Sequence, residues 1–420
     1  MRGLHQFALK IQERFFYGWV VAGVAALGMF ASGPGQSHIF SVFNGLVAAD
    51  LNLSASSVST AYGLATLVAA FGLPYVGQLV DKFGPRRVLL VVIFGLGLSC
   101  MAFSQVAGVL SLGLGFAALR FLGQGSLMLG CNNVVAQWFN ARRGFALSLV
   151  ALGFALSVAI HPPLAQWFVS LGGWREAWIW LGLMTWALMI PAIYFFVHDR
   201  PEQLGLEPDG VQKNPTNVQA DSAEQGMTRA QAIRTSAFWI IASGLFAMSM
   251  LVTSLFFHQV VMLEHKNFSA QFAASLFALT SIVMAIGIPT FGRVLDRVRT
   301  QTSFAVSLCL LSAALTSMAF VSGYASAIAY AVVFGVCVAG VQAHYSYLWP
   351  RFFGRKHLGA IQGLGQTIGV VGASFGPLPL AVAFDVWGDF DAMLIGLALI
   401  PLVCAVAAYR LVPPKLPTSP

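Results

Sequence analysis

The side chains that could do chemistry in this chain are the few polar residues inside its long apolar runs. Arg120 is the only basic residue deep in such a run. A charge at the centre of a bilayer costs about 2.5 to 3.5 kcal/mol on insertion scales, so in a membrane Arg120 must face protein or water. Gln124 lies one turn later on the same helix face. Arg120 could attract an anion or couple ion movement, or it could be a structural residue bonded to backbone carbonyls.

Histidine is the remaining titratable residue type within the apolar runs, because every acidic residue lies at an end or in a loop. The four candidates are His38, His161, His258 and His344. His38 follows Gly33-Pro34-Gly35, which should break a helix and expose backbone groups to a cavity. Any proton coupling is therefore expected to pass through a histidine or through the substrate, although a lone buried histidine is more often structural.

Three further polar residues are candidates for contact with a solute. Gln342 and Tyr345 share a helix face, and Gln366 lies in a later apolar run. Each could instead make an interhelical hydrogen bond, worth about 0.6 kcal/mol on average in membranes. The sequence has no phosphate-binding loop, no metal-ligand cluster and no catalytic constellation, so we expect no enzyme activity, no cofactor and no ATP-driven transport.

Composition indicates the elements that must position these residues. The chain has 420 residues, of which 58% are hydrophobic and 9% are charged. An ordinary soluble protein carries about 25% charged residues, so this chain could not cover a soluble surface. The net charge of +8 comes from short basic clusters between apolar runs, which is typical of membrane topology and argues against nucleic-acid binding.

The apolar runs predict an all-α membrane protein with twelve transmembrane helices, which we number as spans 1 to 12. Their approximate positions are 18–47, 56–80, 88–106, 109–138, 143–169, 174–197, 237–262, 270–292, 302–321, 325–349, 357–384 and 389–411. A polar stretch at 198–236 is predicted to be a cytoplasmic linker. It divides the chain into two six-helix bundles, 1–197 and 237–420.

The basic residues predict the orientation of the chain. With the N-terminus in the cytoplasm, 20 Lys and Arg residues lie on the inner side, and only Arg175 and Lys266 lie on the outer side. This asymmetry predicts a multi-pass protein of the cytoplasmic (inner) membrane with both termini in the cytoplasm.

The two halves also repeat in sequence. Gly77-Gln-Leu-Val-Asp81-Lys82 recurs as Gly292-Arg-Val-Leu-Asp296-Arg297, 215 positions later. Phe139, Arg142 and Pro163 recur as Phe353, Lys356 and Pro377, 214 positions later. The near-constant offset predicts two bundles of the same internal topology, related by an axis along the membrane normal.

The loop after span 2 carries a more specific signal. It reads Gly77-x-Leu79-x-Asp81-Lys82-x-Gly84-x-Arg86-Arg87 and resembles the signature loop of the major facilitator superfamily, while Arg120-Phe-Leu-Gly-Gln124-Gly125 resembles that family's second motif. The resemblance implies the major facilitator fold and alternating access between the two bundles. In that fold, spans 1, 4, 7 and 10 line the central cavity.

The resemblance also implies a gate on the inner side. Asp81 could cap a helix and pair with Arg86 and Arg87, and Asp296 with Arg297 would be the weaker partner in the second half. Such a latch would favour one global state. The arginines could instead serve only to set topology.

Several segments are similar to the monocarboxylate and oxalate–formate transporter branch of this superfamily. They are Tyr17-Gly18-Trp19, Asp81-Lys-Phe-Gly-Pro-Arg-Arg87, Gln137-Trp138-Phe139 with Arg142-Arg143-Gly144, and Arg200-Pro-Glu-Gln-Leu-Gly205. That branch links anion binding to a basic residue near the position of His38 and tends to place a further basic residue in span 8 or 11. Neither of those two spans carries one here, which disfavours a dicarboxylate.

We therefore expect a monomeric secondary transporter that moves a small organic monoanion across the bilayer with protons. The candidate solute-binding residues are His38, Arg120, Gln124, His258, Gln342, Tyr345 and Gln366. One alternative is efflux of a neutral or amphiphilic metabolite or drug. An alternative of another class is a membrane sensor or scaffold that transports nothing.

Overall fold

The computed structural model describes residues 15–140, 142–210, 226–354 and 358–414. Helices account for most of these residues. Their bounds are Gly18–Ala31, Ser37–Asp50, Ala55–Phe83, Pro85–Phe103, Val109–Leu119, Met128–Trp138, Arg143–Phe196, Arg229–Ile233, Ser236–His265, Ala270–Arg297, Thr300–Ala319, Tyr324–Phe353, Leu358–Phe375, Pro377–Trp387 and Asp391–Ala408. Ten helical segments in this part of the chain are long and apolar enough to cross a membrane.

Two local features reconcile these ten segments with the twelve predicted spans. Span 1 is interrupted by a 3-10 turn at Gly33–Gly35, so each of its helical halves has only 14 residues. Spans 5 and 6 are joined in the single helix Arg143–Phe196, which bends at Gly173 with φ 84° and ψ 176°. Only glycine adopts that conformation readily. The predicted all-α architecture of twelve spans is confirmed, and the span numbers are kept below.

The chain divides into two compact units. The described residues of the first unit lie within Met1–Leu53 and Leu64–Val218, and those of the second lie within Ser54–Gly63 and Gln219–Pro420. The start of the predicted linker is ordered against the first unit, because Trp138 donates its indole N–H to the carbonyl of His198 at 2.9 Å. Residues 211–225 lie outside the described part of the chain. The predicted linker bounds of 198 and 236 stay a prediction.

The core of the first unit is built from large aromatic side chains and from glycines that allow close packing. Trp178 is fully buried, and its ring lies 4.7 Å from Phe43 and 4.5 Å from Phe103. Gly153 of span 5 lies against the backbone carbonyl of Ala26 in span 1. A larger residue at Gly153 would separate these spans, as is usual where small residues form membrane interfaces.

Arg175, on the predicted outer side, is held within the first unit. Its guanidinium is 2.8 Å from the carboxylate of Asp50, at the end of span 1. It also donates to the carbonyls of Ser104 at 2.7 Å and Val106 at 3.1 Å, just beyond the end of span 3. One arginine at the start of span 6 therefore connects three span ends.

Lys266, the other predicted outer-side basic residue, makes the equivalent contacts in the second unit. Its ammonium is 2.8 Å from the carboxylate of Asp391 and donates to the carbonyl of Ala319 at 2.9 Å. Lys266 lies 216 positions after Asp50, and Asp391 lies 216 positions after Arg175. The two units thus have the same ion pair at the same place, with the charges exchanged.

Candidate functional site

Arg120 lies in a short π-helical stretch of span 4, Arg120–Leu127, and is only 2% exposed. Its Nε donates to the hydroxyl of Thr66 in span 2 at 3.1 Å, and one Nη donates to the carbonyl of Gly35 at 3.1 Å. Gly35 belongs to the break in span 1, where a side chain would collide with the backbone at Gln124. Arg120 therefore holds spans 1, 2 and 4 together while keeping its charge in the bundle interior. The side chain of Gln124 is half-buried.

His38 forms a buried bridge with two side chains of span 5. Its Nε2 lies 3.2 Å from the hydroxyl oxygen of Ser157, and that oxygen lies 3.2 Å from Nδ1 of His161. All three side chains are at most 1% exposed. Arg120 binds the carbonyl of Gly35 and the ring of His161 packs against Gly33, so the bridge and the arginine meet at the break in span 1 and form one polar cluster.

The sequence indicated His161 only as a titratable residue, and Ser157 was not predicted. Ser157 precedes His161 by four residues, so the two share one helix face. That spacing was the available signal. Pro162 and Pro163 follow directly, and because proline has no N–H, two carbonyls of the preceding turn receive no helical donor. A serine and a histidine beside a proline pair form an unusually polar turn in an apolar span.

The predicted solute-binding residues of the second unit have different surroundings. His258 lies 2.8 Å from the carbonyl of Pro377 through Nε2, so that nitrogen carries the proton in this bond. The hydroxyl of Tyr345 donates to the carbonyl of Leu245 at 3.1 Å. Gln342 and Gln366 are exposed. Two of these four residues are thus bonded to backbone, and two present amides at the surface of the unit.

The signature loop between spans 2 and 3 is capped by a residue outside the motif. Gly84 has φ 84°, which turns the chain tightly before Pro85 begins span 3. The carboxylate of Asp199 accepts the backbone N–H of Arg86 at 2.7 Å, so it caps the start of that helix. The Arg86 guanidinium donates to the carbonyl of Tyr194 at 2.5 Å and lies over the Tyr194 ring.

The other predicted gating residues lie at the surface. Asp81, Arg87 and Arg297 are exposed, and Asp81 makes no ion pair within the part of the chain that the structure describes. The cap expected from Asp81 comes instead from Asp199, because the chain after span 6 returns to this turn. The side chain of Asp296 lies outside the described side chains.

Segments that suggested the monocarboxylate branch meet at the predicted inner end of the first unit. The ring of Tyr17 lies 5.6 Å from both Trp138 and His198, and its hydroxyl donates to the carbonyl of Phe196 at 2.9 Å. Burial raises the pKa of Tyr17 to about 12, against a smaller opposite effect of Arg86. Tyr17 therefore stays protonated as a hydrogen-bond donor. These signature residues form a structural joint between spans 1, 4 and 6.

The fold defines the class of protein, a polytopic helical membrane protein with an internal repeat. The family model described as Major Facilitator Superfamily matches residues 25–377 and 262–420. The chain belongs to this superfamily, and it is therefore a membrane transporter and not an enzyme.

Curated relatives include transporters of small organic anions. The chain is 26% identical over 239 residues to the oxalate:formate antiporter of Oxalobacter formigenes, covering 56% of this chain and 52% of the antiporter. It is 23% identical over 439 residues to monocarboxylate transporter 1 of Bos taurus, covering 94% of this chain and 84% of that protein.

A solved structure supports the fold. The crystal structure of a bacterial homologue of the human lysosomal transporter Spinster, in an inward-facing and occupied conformation, matches with a TM-score of 0.70. The match covers 95% of this chain and 96% of that chain at 13% identity. It shows a shared architecture.

Proposed function

We propose that this transporter moves a small organic monoanion together with a proton across the cytoplasmic membrane by alternating access. The observation that carries the proposal is the buried cluster in which a permanent positive charge, Arg120, is bonded to the carbonyl of Gly35, three residues before a titratable side chain, His38. The names of the relatives, which include transporters of oxalate, formate and monocarboxylates, support the substrate class.

Coulomb's law gives the cluster a means of coupling the two ions. A proton on His38 adds a second positive charge near Arg120, and in a medium of low dielectric the two charges repel strongly. An anion bound near them offsets that repulsion, so anion and proton each make binding of the other easier. Both side chains are buried in this conformation, and the anion has to reach them in another conformation.

The proposal extends to the remaining candidate residues. Gln124 of the first unit and His258, Gln342, Tyr345 and Gln366 of the second would contact the solute in the course of transport. Asp81 with Arg86 and Arg87, and Asp296 with Arg297, would stabilise one transport state on the cytoplasmic side, where both termini would lie. The protein would act as a monomer.

Uptake by purified protein in proteoliposomes tests this function. An inward proton gradient should drive accumulation of at least one of ¹⁴C-labelled formate, L-lactate and benzoate, and a protonophore should abolish that accumulation. Empty liposomes and D-glucose serve as controls. The proposal is wrong if no carboxylate accumulates while a neutral or amphiphilic compound is moved.

A further inference from the structure

The hydroxyl of Ser157 has one proton and lies between two imidazole nitrogens. It is 3.2 Å from Nε2 of His38 and 3.2 Å from Nδ1 of His161. If Ser157 donates to His38, then His161 must donate to Ser157, and the opposite arrangement keeps the same two hydrogen bonds with donors and acceptors exchanged. The bridge changes from the first arrangement to the second when a proton is gained at His161 Nε2 and two protons shift along the bridge, which leaves a second ring proton on His38.

One nitrogen at the end of this bridge is unpaired. His161 Nε2 is buried and has no hydrogen-bond partner among the residues that the structure describes. A buried polar atom without a partner costs about 1 to 3 kcal/mol, and such atoms in native proteins are often tied to function. The nitrogen is an acceptor in one arrangement of the bridge and a donor in the other, so it is suited to binding and releasing a proton.

One aromatic ring packs against the imidazole of His161. The ring of Phe30 in span 1 lies 4.5 Å from the imidazole ring, within the range of a cation–π contact. Gly33 leaves the space for this ring, because a Cβ there would lie 2.7 Å from three imidazole atoms. Among charged side chains, Arg120 reaches the same part of span 1, because it donates to the carbonyl of Gly35, three residues before His38.

His344 of the second unit shows that a histidine between serines can be fully satisfied. Its Nε2 is 3.2 Å from the hydroxyl of Ser303, and its Nδ1 is 2.7 Å from the carbonyl of Gly340 and 3.4 Å from Ser307. Both nitrogens have partners, and the carbonyl fixes the tautomer, since Nδ1 must donate to it. Both histidines are buried, and they differ at Nε2, which has a partner in His344 and none among the described residues in His161.

We propose that His161, Ser157 and His38 form the proton relay of this transporter, with His161 Nε2 as the entry point. This inference depends on the proposed proton-coupled transport. A proton binds to the lone pair of His161 Nε2. The Nδ1 proton then passes to Ser157 as the hydroxyl proton of Ser157 passes to Nε2 of His38. One proton enters, and one positive charge moves from His161 to His38, beside the charge of Arg120.

Two transport modes in the same proteoliposomes test the relay. Accumulation driven by a pH gradient needs proton movement, whereas counterflow of labelled against unlabelled substrate does not. The probe is whichever of ¹⁴C-labelled formate, L-lactate and benzoate the unmodified protein accumulates fastest. Ser157→Ala and His161→Gln should each lower accumulation at least about tenfold while counterflow stays within about twofold, a separation within the usual range of coupling between sites.

Ser303→Ala and His344→Gln are the matched controls, and both should accumulate substrate as the unmodified protein does. The relay is overturned if Ser157→Ala accumulates normally, or if it loses counterflow and accumulation together, because a structural role predicts equal loss. If the unmodified protein exchanges carboxylates but never responds to a pH gradient, the relay is wrong and anion transport stands. If it moves no carboxylate at all, the proposed function fails first.

Discussion

At the scale of single residues, Arg120 has two tasks that differ in what they require. The hydrogen bonds to Gly35 and Thr66 need N–H donors at fixed positions, whereas attraction of an anion needs a positive charge. Arginine supplies both, because its planar fork carries five donors and stays ionised. Lysine keeps the charge but lacks the fork, and glutamine keeps donors but lacks the charge.

These two substitutions therefore separate the tasks. We expect Arg120→Lys to keep measurable carboxylate uptake with a lowered melting temperature, and Arg120→Gln to lose uptake by more than about tenfold, or about 1.4 kcal/mol. Initial uptake rates and thermal unfolding in detergent measure both. Arg200→Gln, which removes an exposed arginine, is the control. Normal uptake by Arg120→Gln would show that the charge has no part in anion binding.

At the scale of helices and loops, the chain directly after span 6 positions the starts of two spans. Asp199 accepts the N–H of Arg86 near the start of span 3, and Asp209 accepts the N–H groups of Asn140 and Arg142 before span 5. A carboxylate at a helix N-terminus also offsets the positive end of the helix dipole. A segment that the sequence predicts to be a linker thus positions the starts of spans 3 and 5 on the predicted cytoplasmic side of the first unit.

Loss of the Asp199 cap should be visible in stability. Asp199→Ala is expected to cost about 1 kcal/mol, the usual effect of removing a helix N-cap, and Asp199→Asn should cost less. Thermal unfolding of the purified protein measures the difference. Asp81→Ala, at a position shortly before the capped helix and without an ion pair among the described residues, should leave stability nearly unchanged. Equal losses for Asp81→Ala and Asp199→Ala would contradict this assignment of the cap.

At the scale of the whole molecule, the two units have an ion pair at the same place, but the acidic and the basic partner are exchanged. Asp50 and Arg175 occupy the positions that Lys266 and Asp391 occupy in the second unit. In both units the basic partner also binds a carbonyl at or just beyond the end of the third span of that unit. The geometry of three span ends is therefore what the two halves share.

A charge exchange in the first unit tests that view. Asp50→Lys alone places two positive groups together. It should lower the free energy of unfolding by more than the roughly 0.2 to 1 kcal/mol that is usual for losing a half-exposed pair, which thermal unfolding measures as a lower melting temperature. Asp50→Lys combined with Arg175→Asp should recover most of the loss, because it rebuilds the arrangement of the second unit. The pair has no such role if the double variant is as unstable as Asp50→Lys.

The sequence was sufficient for the features that depend on local pattern. Apolar runs predicted the spans, and Gly33-Pro34-Gly35 predicted the break in span 1. The bridge from His38 to Ser157 could not be predicted from the sequence, because it depends on how span 5 is rotated about its axis against span 1. The Asp199 cap was missed for a similar reason, since it joins residues 113 positions apart. Contacts between residues that are far apart in the sequence of a helical bundle can be identified only from the three-dimensional structure.

The break in span 1 also constrains how the protein is made. Each 14-residue half is about 21 Å long, too short to cross a hydrocarbon core of about 30 Å, so the two halves must enter the membrane together. The donor that binds the Gly35 carbonyl, Arg120, is synthesised 85 residues later. At roughly 5 to 20 residues per second, that carbonyl waits on the order of ten seconds for its partner. During biogenesis, span 1 must therefore remain beside the insertion machinery or water until span 4 arrives.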